Sequence, residues 1–107
     1  MTLRGAGAMD EAMDLHDAAA GGNVVTIRTL VEQGADIEAE DAGGNRPLHY
    51  AAYNGQVEAV KTLVELQADI EAEDAGGMRP LHYAAGQGQV EAVKTLVAVS
   101  YTQLRAN

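Results

Sequence analysis

The chain repeats itself at a spacing of 33 residues. Residues 37–64 (IEAEDAGGNRPLHYAAYNGQVEAVKTLV) and 70–97 (IEAEDAGGMRPLHYAAGQGQVEAVKTLV) agree at 25 of 28 positions, differing only at Asn45 against Met78, Tyr53 against Gly86 and Asn54 against Gln87. A fainter copy precedes them. Leu15, His16, Ala18, Ala19, Gly22, Val24, Leu30 and Val31 stand 33 residues before Leu48, His49, Ala51, Ala52, Gly55, Val57, Leu63 and Val64. Self-similarity this close marks one structural unit stacked on copies of itself. Three units are visible, the first degraded.

With 107 residues and no Phe, Trp or Cys, burial must come from many small contacts by Ala, Leu, Val and Ile. That suits a thin solenoid better than a globular sphere. The absence of cysteine removes disulfides, thiol chemistry and thiolate zinc sites, and fits a reducing compartment. The opening segment carries Asp10, Glu11 and Asp14 and no continuous apolar stretch, so a cytoplasmic location without a secretory signal is expected. No run approaches the roughly 18 apolar residues of a membrane span. A formal charge of −9 repels phosphate backbones and anionic lipid, which argues against nucleic acid or a membrane surface as partner.

Within one unit, Pro47 fits the first turn of a short helix, where no backbone donor is needed. Leu48, Ala51 and Ala52 give that helix a narrow apolar face, and Gly55 ends it. From Gln56 to Leu66, Val57, Val60, Leu63 and Val64 fall on one helical face, with Glu58, Lys61 and Glu65 outside and spaced for helix-surface ion pairs. The segment Ala68–Gly77 is too polar and glycine-rich for helix and reads as a turn or hairpin leading into Arg79-Pro80.

A 33-residue unit of hairpin plus two helices, carrying Pro-Leu-His-x-Ala-Ala, then Gly, then a Val/Leu helix, resembles the ankyrin repeat. The resemblance covers about residues 13–97, in repeats of about 13–36, 37–69 and 70–97, and implies an all-α repeat solenoid. Residues 1–12 are expected to be a flexible amino terminus. The family usually has Thr before the proline, where this chain has Arg46 and Arg79. Neither offers a cap acceptor, a loss of about 1 kcal/mol per helix. Glu38 and Glu71 also stand where the family commonly has Asn.

Residues 10–36 resemble an amino-terminal capping repeat. After Val97 the register breaks, and Val99, Tyr101 and Leu104 fall where a capping unit would cover them. Two readings stand: residues 98–107 extend the last helix and close the stack, or the end is poorly capped and its apolar residues promote weak self-association of an otherwise monomeric chain. A stacked array also predicts that Leu63→Ala, in the middle, costs more than Leu96→Ala near the end.

What the resemblance implies about function is a non-catalytic protein-binding module that grips its partner on the concave surface. The three differing positions of the full repeats mark that surface, giving Asn45, Tyr53, Asn54, Met78 and Gln87 as candidate partner-binding residues. Either a binding face varies on a constant scaffold, or exposed positions drift freely. Tyr53 is the expected anchor, projecting from a surface of Ala, Gly and acids. Tyr50 and Tyr83 recur in the framework and are expected to pack against the neighbouring repeat. The alternative is a segment of a larger ankyrin array, or a consensus-like scaffold, with no partner of its own.

The acids are organised too. Asp36, Glu38, Glu40 and Asp41 recur as Asp69, Glu71, Glu73 and Asp74, which stacking would align into a negative ridge. Such a ridge either steers a basic partner or keeps a thin solenoid soluble. Its loops lack the ligand spacing of calcium loops. His16, His49 and His82 recur once per repeat, separated by a helix-packing distance of roughly 8–10 Å, too far to share a metal with bonds of about 2 Å. They are expected to bond the loop backbone of a neighbouring unit. No nucleophilic triad or phosphate-cradling loop is present, and Gly43-Gly44 and Gly76-Gly77 lack the required lysine. The sequence therefore implies neither enzyme, cofactor nor metal.

Overall fold

The computed structural model describes residues 14–106. The expected flexible segment 1–12 lies outside the described residues, as does the side chain of Leu104. Over the described residues the chain forms six helices and no strand: α1 (Leu15–Gly21), α2 (Val24–Glu32), α3 (Pro47–Tyr53), α4 (Val57–Glu65), α5 (Pro80–Gly86) and α6 (Val90–Ala106). Each odd helix packs on the even helix that follows it. The stack grows because α1 packs on α3 and α3 on α5, while α2 packs on α4 and α4 on α6.

Local chemistry sets the helix ends. Asp14 caps α1 by accepting from the Asp17 amide at 2.9 Å, and Asn23 caps α2 by accepting from the Thr26 amide at 3.1 Å. At α3 and α5 the residue before proline is Arg46 or Arg79, whose side chains carry no acceptor. Their backbone donors are satisfied nonetheless. The Arg46 N–H donates to His49 Nδ1 at 2.9 Å and the Arg79 N–H to His82 Nδ1 at 2.8 Å. Gly55 then turns the chain with φ 68°, a conformation open to glycine at little cost. The next side chain locks the stack, as Gln56 Nε2 donates to Ala20 O at 3.0 Å and Gln89 Nε2 to Tyr53 O at 3.1 Å.

The core runs along the middle of the stack. Ala18, Ala19, Ile27, Leu48, Ala51, Ala52, Val60 and Leu63 are buried, joined by Ala59, Ala92 and Thr62, which the apolar pattern did not single out. Burying one Leu or Val of this set contributes about 1.5–3 kcal/mol. Val57 and Val64 are only half-buried. Small residues on the odd helices permit the close approach that places these side chains against the neighbouring repeat.

Two charge expectations change. Lys61 pairs with Glu58 at 3.6 Å, but Glu65 reaches instead to Arg28 of the first repeat at 2.7 Å. The acidic ridge is threaded by arginine. Arg46 lies against Glu38 at 3.2 Å and Glu40 at 3.3 Å, and Arg79 against Glu71 and Glu73, both at 3.0 Å. Other acids of the ridge serve the backbone: Asp36 and Asp69 accept from the Glu38 and Glu71 amides, each at 2.9 Å. The hairpins are therefore cross-tied rather than uniformly negative. Their tips also meet, since the Ala75 N–H donates to Gly43 O at 2.9 Å. At Gly44, φ is 80° and a Cβ would meet Ala75 N at 2.8 Å, so only glycine fits that approach.

Candidate functional site

The odd helices supply the inner face of the stack. Ala20 from α1, Tyr50 and Tyr53 from α3 and Tyr83 from α5 line a groove of about 380 Å3, with Asn45 and Asn54 at its borders and His49 beside them. Three repeats thus contribute to one hollow.

Its aromatic walls are positioned from behind. The Tyr50 ring meets the His16 ring edge-on at 5.2 Å and 81°, and Tyr83 meets His49 at 5.7 Å and 85°. Each histidine is fixed in turn by the next hairpin. His16 Nε2 donates to Ala39 O at 2.9 Å and Asn45 O at 3.0 Å, and His49 Nε2 to Ala72 O at 3.1 Å and Met78 O at 2.9 Å. That matches the loop-bonding role read from the sequence for His16 and His49, whereas His82 bonds only the Arg79 amide of its own repeat among the described residues. Tyr50 and Tyr83 donate their hydroxyls to Asp41 and Asp74. Asp41 also accepts from the Gly43 and Asn45 amides, both at 2.9 Å.

These bonds move the titrations apart. The Asp41 carboxyl lies below its ordinary value, chiefly because the Tyr50 hydroxyl bonds its charged form, then because backbone amides do so too. Tyr50 is pushed up to about 12, first by that bond to Asp41, then by burial, then by the charges of Asp41, Asp14 and Asp17. Asp74 is lowered and Tyr83 raised by the equivalent bond.

The structure divides the five candidate residues. Asn45 is half-buried, its carbonyl taken by His16. Asn54 is exposed and donates from Nδ2 to Tyr50 O at 3.0 Å, while Tyr53 is 43% exposed. These three share the groove. Met78 and Gln87 are exposed one repeat further along, outside its lining. Tyr53 does not project alone from small and acidic residues, because its ring leans on Tyr83 with centroids 6.0 Å apart at 60°. Tyr50 and Tyr83, assigned to packing, do pack on neighbouring histidines, and they also wall the groove. Tyr50 and Tyr53 stand three positions apart on one helix, a spacing that puts both on one face; that signal was in the sequence.

Among the described residues no group of three or more His, Asp or Glu side chains converges to hold a metal ion. His49 spends both ring nitrogens on the backbone, His16 commits its Nε2 and His82 its Nδ1, and the arrangement presents a shaped aromatic surface.

A helical repeat solenoid with one face open along its inner helices is a class of protein built for contact. The family model for ankyrin repeats, in three copies, matches residues 15–106, and the chain belongs to the ankyrin repeat family. Comparison with curated proteins returned no match. Ankyrin repeats are generally protein–protein interaction modules and are typically non-catalytic. No helix among the described residues is long and apolar enough to cross a membrane.

Proposed function

We propose that the chain is a non-catalytic recognition module that grips a protein partner of basic character on its concave face. The observation that carries this reading is the groove walled by Tyr50, Tyr53 and Tyr83, which spans all three repeats and leaves Tyr53 43% exposed at its rim. Aromatic side chains with an apolar body and a polar tip carry much of the energy at interfaces. Asn45 and Asn54 add adaptable polar contacts at the border, with Met78 and Gln87 as an outer rim. Capture from cell extract, with the retained protein identified and then titrated against purified chain, tests the reading. The Tyr53→Ala, Met78→Ala double variant is expected to weaken binding about 30-fold, the equivalent of roughly 2 kcal/mol. An unchanged affinity rejects this face.

A second reading rests on the other end of the stack. Leu81, Val97 and Tyr101 are 38%, 50% and 60% exposed, an apolar strip along α5 and α6 that favours weak self-association or stacking against a further ankyrin unit. Sedimentation across a concentration series, comparing the parent with Val97→Lys, separates this from a monomer.

A further inference from the structure

The described residues include six Lys and Arg side chains, and every one is engaged away from the concave hollows. Arg28 pairs with Glu65, Arg46 with Glu38 and Glu40, Lys61 with Glu58, Arg79 with Glu71 and Glu73, and Lys94 with Glu91. Arg105 lies 5.7 Å from the centroid of the Tyr101 ring. Among the described residues, the hollows of the inner face are lined by Asp14, Asp17 and Asp41 and by no lysine or arginine. A second hollow of about 310 Å3, lined by Asp14, His16, Asp17, Ala20, Asp41 and Tyr50, adjoins the aromatic groove and shares Ala20 and Tyr50 with it.

Among the described residues no lysine or arginine pairs with these three carboxylates. Asp14 Oδ1 accepts from the Asp17 amide, and Asp41 is occupied by Tyr50 and two backbone amides. Asp14 Oδ2 and both carboxylate oxygens of Asp17 accept nothing from the described residues. Tyr50 is displaced upward first by its bond to Asp41 and then by burial, and the charges of Asp41, Asp14 and Asp17 at the junction of the two hollows add to it in the same direction.

The two halves ask for one kind of occupant. Tyrosine faces attract a cation and accept an apolar stem laid across them. Carboxylates with vacant lone pairs accept from a planar fork of donors, and do so best when two parallel bonds can form. Arginine combines a stem, a flat weakly hydrated cation and that fork; lysine presents a strongly hydrated point charge. We infer that the joined hollows form a receptor for an arginine side chain of the partner, with its stem across Tyr50 and Tyr53 and its guanidinium against Asp14 and Asp17. This rests on the protein-binding reading above and names the anchor that reading lacks.

The test is an NMR titration of the isotope-labelled chain with a capped seven-residue Gly/Ser peptide carrying one central arginine. Matched peptides carry citrulline or lysine instead. Amide shifts are expected at Ala20, Tyr50, Tyr53 and Asn54, weakening as salt rises. Citrulline, which keeps the shape and loses the charge, is expected to weaken binding at least about tenfold, and lysine about threefold. Asp17→Asn, at an exposed position, is expected to weaken the arginine peptide about threefold and to flatten its salt dependence. Tyr53→Phe is expected to retain binding and Tyr53→Ala to lose about tenfold. Citrulline binding as well as arginine, shifts confined to other residues, or no arginine-peptide binding at all each overturn the inference. Lysine equal to arginine overturns the preference for the guanidinium. If the captured partner still depends on Tyr53 while the arginine peptide fails, this inference falls alone. If that partner is indifferent to Tyr53, the wider reading falls and takes the inference with it.

Discussion

The second and third repeats differ at three of 28 aligned positions, yet they lead different physical lives. Leu48 is 2% exposed and its counterpart Leu81 is 38% exposed. His49 is buried and divides its Nε2 donor between two carbonyls of the third repeat, whereas His82 is exposed and, among the described residues, keeps only the bond from the Arg79 amide. Val64 is half-buried, and Val97 is 50% exposed. The same residues have received opposite treatment because α3 and α4 lie between two helix pairs, while α5 and α6 have a pair on one side only among the described residues. Burial in a stack belongs to the position more than to the residue, as nearest-neighbour coupling requires.

The largest expected effect tests that contrast directly. Leu48→Ala is expected to cost about 2–5 kcal/mol, the range for a fully covered leucine. Leu81→Ala is expected to cost about 1 kcal/mol or less, since less of its surface leaves water on folding. Urea unfolding of the two variants measures both, and equal losses would show that the third repeat is covered in solution. The pair chosen from the sequence, Leu63 and Leu96, separates the repeats less well, because both are buried.

The histidines give the next effect. His49→Ala strips the Ala72 and Met78 carbonyls of their donor and the Arg46 amide of its acceptor, and is expected to cost about 2–3 kcal/mol. His82→Ala loses one bond and is expected to cost about 1 kcal/mol. A reversed order would mean that His82 has found carbonyls of another unit.

The smallest effect concerns pH. Tyr50 is raised from 10.0 to about 12 in the folded chain, so its contribution is fully present below pH 10 and fades as pH rises towards 12. Asp41 is lowered from 3.8, so its contribution holds above that value and is lost as pH falls below it. Tyr50→Phe is expected to flatten the alkaline limb of a melting-temperature profile, and Tyr83→Phe to do so less. A profile unchanged by Tyr50→Phe would rule out the tyrosine–aspartate bond as the source.

Much of this architecture could be read from the residues. The period, Pro47, the paired alanines and Gly55 locate α3 and α4 to within a residue or two, because each acts through a local rule of backbone geometry. The bonds of His16 and His49 were legible for the same reason, since one ring per unit can reach only a neighbouring loop. The groove was legible in part. Variation between repeats pointed to Asn45, Tyr53 and Asn54, but could not reveal Tyr50 and Tyr83, which are invariant between the full repeats and build the walls from there. The clamping of Arg46 and Arg79 by glutamates escaped as well, because it depends on how a hairpin folds back over its own helix. The end of the last repeat follows from a conformational detail. Gly34 and Gln67 turn the chain with φ of 99° and 77°, while Ser100 at the corresponding place lies inside α6, so the helix runs on for 17 residues instead of nine.

Each inner histidine grips the loop of the unit that follows it, and that gives the molecule a direction in which to come apart. When α5 and α6 peel away, the surface left behind is no novelty: Leu48 and His49 take over the roles that Leu81 and His82 hold now. Fraying from this side therefore repeats a single step, each stage restoring the end it began with. Amide exchange along the chain is expected to slow from α6 back to α3 in stairs one repeat deep.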